Sequence, residues 1–129
     1  PGLLTREYAC TAREGLYFAG QMTGVEGYVE SASSGLLAAL SMAARRTGTT
    51  LPDFTAQTAI GALGYYVSQW AGHDFQPMNV CFGIIDPLVV RVCDKQDKNR
   101  AIAARALAYL DSIIPLLPRA EETEAETCS

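Results

Sequence analysis

An α/β architecture is the reading that this 129-residue sequence supports, and three observations carry it. A short apolar run, Gly15-Leu16-Tyr17-Phe18-Ala19-Gly20, ends in glycine as a buried parallel strand does. A turn with two more glycines, Gly24 and Gly27, follows at once. Beyond it the spacing of apolar residues changes to the three- and four-residue steps of a helix. Hydrophobic residues at 49% and charged residues at 19% give the balance of a globular domain with a single core.

The first helix is expected from about Tyr28 to Arg46, with Val29, Ala32, Leu36, Leu40 and Ala43 on its apolar face. A second line, Ser31, Gly35, Ala38 and Met42, is mostly small and suits close packing against a sheet or ligand. Thr47-Gly48 ends this helix. A second helix is expected over Thr55 to Ala71 from Ile60, Leu63, Tyr66, Val67 and Trp70, although Gly61 and Gly64 weaken its propensity. Residues 72–93 have no clean period, and Phe75-Gln-Pro-Met-Asn-Val80 reads as an ordered loop. Asp94 suits the N-cap of a third helix over about Lys95 to Ile113, with Ile102, Ala106, Leu110 and Ile113 buried. Residues 1–118 would then be one folded body and residues 119–129 a disordered acidic tail.

Charge and chemistry narrow the possibilities. The net charge is -4, and residues 119–129 contribute four Glu and one Arg, or -3, leaving about -1 for the body. Such a body lacks a strong electrostatic footprint for nucleic acid. Arg91, Lys95, Lys98, Arg100 and Arg105 gather near the third helix with Asp94 and Asp97 among them, as a solvated face or a modest phosphate contact. Cys10, Cys81, Cys93 and Cys128 form no C-x-x-C pair and His73 stands alone, so no metal site and no redox dithiol is expected. No apolar run reaches the ~20 residues of a membrane-spanning helix. No G-x-G-x-x-G phosphate loop is present, and a chain that opens on Pro1 reads as a piece of a longer protein.

The glycine turn is the best place for chemistry. A helix that starts directly after a strand presents unpaired N–H groups, which suit a phosphate or a partly anionic ring oxygen. Glycines at 20, 24 and 27 would admit a ligand close to the backbone. Thr23-x-x-Glu26 is also a capping box, which needs no ligand, and in a plain capping box Gly27→Val would cost little. Tyr28 is either core or a stacking partner; Gln76 and Asn79 either read a substrate edge or satisfy their own loop.

The run from Gly15 through Gly-Gln-Met-Thr-Gly-Val-Glu-Gly-Tyr-Val-Glu to Ser31 closely resembles the folate- and FAD-dependent tRNA (uracil-5-)-methyltransferases. The likeness continues at Ser34–Ala38, Thr58–Leu63, Phe75–Val80, Phe82-Gly83 and Pro87-Leu88. A sister family, which adds a carboxymethylaminomethyl group to the wobble uridine of tRNA, reads Gly-Thr-Thr-Gly-Tyr-Glu-Glu-Ala at the turn and lacks the Phe-Gln-Pro-Met-Asn block. It is the alternative, together with a non-catalytic remnant.

The resemblance implies the C-terminal part of a glutathione-reductase-type FAD-binding domain in a cytoplasmic enzyme. Its chemistry passes a one-carbon unit from methylenetetrahydrofolate through FAD to C5 of a T-loop uridine in tRNA, with NAD(P)H as reductant. By the same resemblance, Gly20, Gln21, Met22, Gly24, Val25, Glu26, Gly27 and Tyr28 line the flavin. The backbone after Gly20 would meet the ribityl and pyrophosphate region, and the helix start the pyrimidine edge of the ring. Tyr28, Gln76 and Asn79 border the folate and uracil pocket. The family's catalytic cysteines lie upstream, so no nucleophile is assigned here, the chain alone is expected to be inactive, and tRNA would be held mainly by other parts of the parent.

Overall fold

The computed structural model describes residues 2–119, so nearly all of the acidic tail expected over 119–129 lies outside the described residues. Three helices dominate: α1 (Tyr28–Thr47), α2 (Ala59–Gln69) and α3 (Lys95–Ile113). A 3-10 turn, Gln21–Thr23, precedes α1, and another, Ile114–Leu116, follows α3.

The parallel strand expected over Gly15–Gly20 does not form. Leu16–Phe18 instead folds back on the chain's own residues 8–10, with an antiparallel bridge Ala9–Tyr17. The Cys10 N–H donates to the Leu16 carbonyl at 2.8 Å and the Phe18 N–H to the Tyr8 carbonyl at 3.0 Å. A second antiparallel bridge, Leu4–Cys10, extends this into a small meander. Among the described residues the β-pairing consists of isolated bridges, and the single parallel one joins Val25 to Met78. The reason is local: a tight reversal ahead of Leu16 supplies an antiparallel partner directly, whereas a parallel partner requires a crossover of a dozen or more residues.

α1 has the expected length but presents a different face. Glu30, Ser34, Leu37, Ala38 and Ala44 are buried, whereas Val29 is 76% exposed and Leu36 55%. The small residues of the helix go inward because α1 packs on α2 and on the turn before it; Ser34, fully buried, accepts the Gly20 N–H at 2.8 Å.

α2 is shorter than expected because Thr58 caps it. The Thr58 hydroxyl accepts the Gly61 N–H at 3.1 Å, and its side chain is completely buried. The glycines that lower helix propensity here serve packing. A Cβ on Gly64 would overlap the Arg6 carbonyl, and one on Gly61 the carbonyls of Phe54 and Thr55. α2 therefore lies directly on two stretches of backbone, and Leu63, Tyr66 and Val67 reach the core beside Tyr8, Val25, Leu37 and Phe54.

α3 spans Lys95–Ile113 as the sequence predicts, and Asp94 caps it by accepting the N–H groups of Gln96 and Asp97 at 2.8 and 3.0 Å. Ile102 and Ile113 are buried, while Ala106 and Leu110 are half-buried. These last two line an apolar groove of about 740 Å³ that separates α3 from Leu36, Leu40 and Ile60.

Candidate functional site

The glycine turn and the Phe75–Val80 loop, some 50 residues apart in sequence, are one structural unit. The Met78 N–H donates to the Gly24 carbonyl at 3.2 Å, and the Glu26 N–H returns to the Met78 carbonyl at 3.0 Å. The Asn79 side-chain amide donates to the Glu26 carbonyl at 2.9 Å, and the Val80 N–H to the Glu30 carboxylate at 3.0 Å. Behind the loop, the Tyr66 hydroxyl donates to the Gln76 carbonyl at 2.7 Å, and its ring lies 5.3 Å from that of Phe75.

Each candidate residue has a distinct place. Gly20 has φ +76°, and nothing lies within 4 Å of where a Cβ would stand, so its outer side is open. Gln21 and Met22 are exposed on the 3-10 turn, Met22 at 75%. Thr23 is buried and its hydroxyl donates to the Gly20 carbonyl at 2.8 Å, closing that turn. Gly24 is filled from behind by Phe75: a Cβ there would overlap the ring. Val25 points wholly into the core, so only its backbone can face a ligand. Glu26 is exposed, with both backbone groups committed to the loop. Tyr28, 96% exposed, is a free aromatic face at the start of α1. Gln76 is exposed, whereas the Asn79 amide is spent on holding the loop.

The capping box expected from Thr23 and Glu26 is absent. The N-cap of α1 is Gly27, at φ 101°, ψ 157°, without a side-chain cap. Gly27 is therefore not a first-turn helical residue, and the expectation that valine there would cost little is wrong: this backbone region is nearly closed to residues bearing a Cβ. The acidic residue that serves the helix start is Glu30, three positions into the first turn, which the sequence reading passed over. A glycine followed three residues later by glutamate was the available signal.

Gln21, Met22, Thr23 and Gly24 line a pocket of about 540 Å³ together with Phe18, Phe75, Pro77 and Cys10. No charged side chain is among its lining residues. Beside this pocket, the open backbone at Gly20, the exposed Met22 side chain and the uncapped start of α1 lie along one stretch of chain, and features of this kind suit the edge of a flat, acceptor-rich ring. A pyrophosphate would have only backbone N–H groups to meet here. Cys10, Cys81 and Cys93 are free thiols, and no His/Cys/Asp/Glu group among the described residues is arranged to hold a metal ion. No helix among them is long and apolar enough to cross a membrane.

The basic cluster near α3 is partly structural. Arg105 donates to the carbonyls of Asp86 and Pro87, and Arg100 pairs with Asp97 at 3.8 Å.

Residues 1–50 match the family described as glucose inhibited division protein A. Three curated relatives share the name methylenetetrahydrofolate--tRNA-(uracil-5-)-methyltransferase TrmFO. That of Lacticaseibacillus paracasei is 43% identical over 122 residues, which is 95% of this chain and 28% of the relative. That of Enterococcus faecalis is 45% identical, over 91% of this chain and 27% of the relative. That of Streptococcus agalactiae is 49% identical, over 88% and 26% respectively. The chain thus spans about a quarter of the length of the relatives it matches.

Proposed function

Because this chain belongs to the methylenetetrahydrofolate--tRNA-(uracil-5-)-methyltransferase family, we propose that it supplies the part of such an enzyme that borders the flavin ring and the folate donor. The observation that carries this reading is the joining of the glycine turn to the Phe75–Val80 loop beside a pocket lined by Gln21 to Gly24, Phe75 and Pro77, with an open backbone at Gly20 just before it. In the whole protein the domain would be of glutathione-reductase type. FAD when bound would supply the carrier for a one-carbon unit between methylenetetrahydrofolate and C5 of a T-loop uridine, with NAD(P)H as reductant. Among this chain's residues, Gly20 to Met22 would hold the ring edge through backbone groups, and the N-terminus of α1 would favour electron density on it. Tyr28 would offer its exposed face to a stacked ring, and Gln76, exposed between the lining residues Phe75 and Pro77, a hydrogen-bonding edge.

The test is to replace the matching segment of a full-length relative with this chain. Retained flavin and formation of 5-methyluridine in T-loop RNA, dependent on methylenetetrahydrofolate, are expected. A folded chimaera without flavin would refute the reading. Modification at the wobble position in place of the T-loop would assign the chain to the sister family.

A further inference from the structure

Glu30 is the one buried charged side chain of the α1 start, 8% exposed, and the cofactor reading leaves it unused. An acidic residue in the first turn interacts favourably with the helix dipole, but that benefit is available to an exposed carboxylate as well. Burial of a carboxylate is costly, and an apolar side chain of similar volume would fill such a space more cheaply. What burial achieves here is a long-range link. One oxygen accepts the Val80 N–H at 3.0 Å, and the other lies over Gly27, so close that a Cβ on Gly27 would overlap it. The Asn79 amide nitrogen stands 2.8 Å from that same Cβ position while it donates to the Glu26 carbonyl. The missing side chain of Gly27 is therefore the space in which carboxylate and amide meet the turn.

We propose that Glu30 is a positioning residue, which fixes the Phe75–Val80 loop on the first turn of α1 and so sets the gap between the glycine-turn residues Gln21 to Gly24 and the loop residues Phe75 and Pro77 that line the pocket with them. The role for catalysis rests on the flavin- and folate-bordering reading; the clasp itself requires no ligand. Glutamine preserves the acceptor that Val80 uses, whereas alanine removes it and leaves a half-buried N–H unpaired.

Amide hydrogen exchange on the 129-residue chain tests the clasp directly. In Glu30→Ala, exchange at Glu26, Met78 and Val80 is expected to accelerate about tenfold or more, with Ala62 and Val67 of α2 unchanged. In Glu30→Gln, protection at the three clasp amides is expected to stay within about threefold of wild type. No acceleration in Glu30→Ala, or a uniform one that includes α2, would overturn the proposal. In the full-length chimaera, Glu30→Ala is expected to raise KM for methylenetetrahydrofolate about tenfold while flavin content and kcat stay within about threefold, with Glu30→Gln restoring KM. Loss of flavin and kcat in equal measure would overturn the positioning role. A folded wild-type chimaera without flavin would sink the cofactor reading alone, since the exchange result still decides the clasp.

Discussion

Two neighbouring residues, Gly27 and Tyr28, make opposite demands on the protein. Gly27 sits at φ +101°, where a side chain would overlap both Glu30 and Asn79. Gly27→Val is therefore expected to destabilise the ligand-free protein by about 2 kcal/mol or more, read as a lower urea midpoint at unchanged slope. Tyr28 projects into solvent at 96% exposure. Tyr28→Ala is expected to leave stability within about 0.5 kcal/mol of wild type. In the full-length chimaera it should weaken folate-dependent methylation while flavin is retained, in line with stacking worth ~1–3 kcal/mol. Loss of stability in Tyr28→Ala would make it a packing residue. The sequence marked both positions as special but gave no means of telling them apart. What separates them is the backbone conformation at 27, which depends on a loop 50 residues away.

Among the elements, α3 was legible end to end, because Asp94 before it and Pro115 and Pro118 after it are local signals that tertiary contacts do not override. The strand was not legible, because whether an apolar run pairs in parallel or folds back depends on the partners within reach. Nor was the buried face of α1: its bulky apolar residues suggested Val29 and Leu36, but the buried positions are Glu30, Ser34, Leu37, Ala38 and Ala44. A polar tie joins α2 and α3 to the stretches around Arg6 and Asp53. Arg6 bonds Asp53 at 3.0 Å and the Tyr65 hydroxyl of α2, while the Tyr109 hydroxyl of α3 donates to the Asp53 carbonyl at 2.6 Å. Burial alone would raise the Asp53 carboxyl, but the Thr55 N–H, the Arg6 guanidinium and the Tyr65 hydroxyl outweigh it and hold it below its ordinary value. A depressed carboxyl contributes stability that is present above the unfolded value of about 4 and lost as pH falls through the folded one. The urea midpoint is expected to drop on acidification below about pH 4, and the drop to be smaller in Asp53→Asn. Equal acid sensitivity in the two proteins would remove Asp53 from the account.

For the molecule as a whole, the chain carries one wall of the proposed site and exposes large apolar side chains along a groove. Leu36 of α1, Leu107 of α3, and Phe82 between them border the same apolar groove, and each is about half exposed or more. With only uncharged residues lining the pocket beside the glycine turn, the 129-residue chain is expected to retain no flavin through gel filtration. A yellow, stoichiometric preparation would show that one wall suffices. The same chain also contains a means of watching its loop. Its single tryptophan, Trp70, lies tilted against Tyr66 at 5.1 Å between ring centres, and Tyr66 in turn packs on Phe75 and donates to the Gln76 carbonyl. An indole so placed makes the molecule its own optical gauge: each docking or release of the loop should register in the colour and intensity of its fluorescence, with no dye attached and no other indole emitter to confuse the signal.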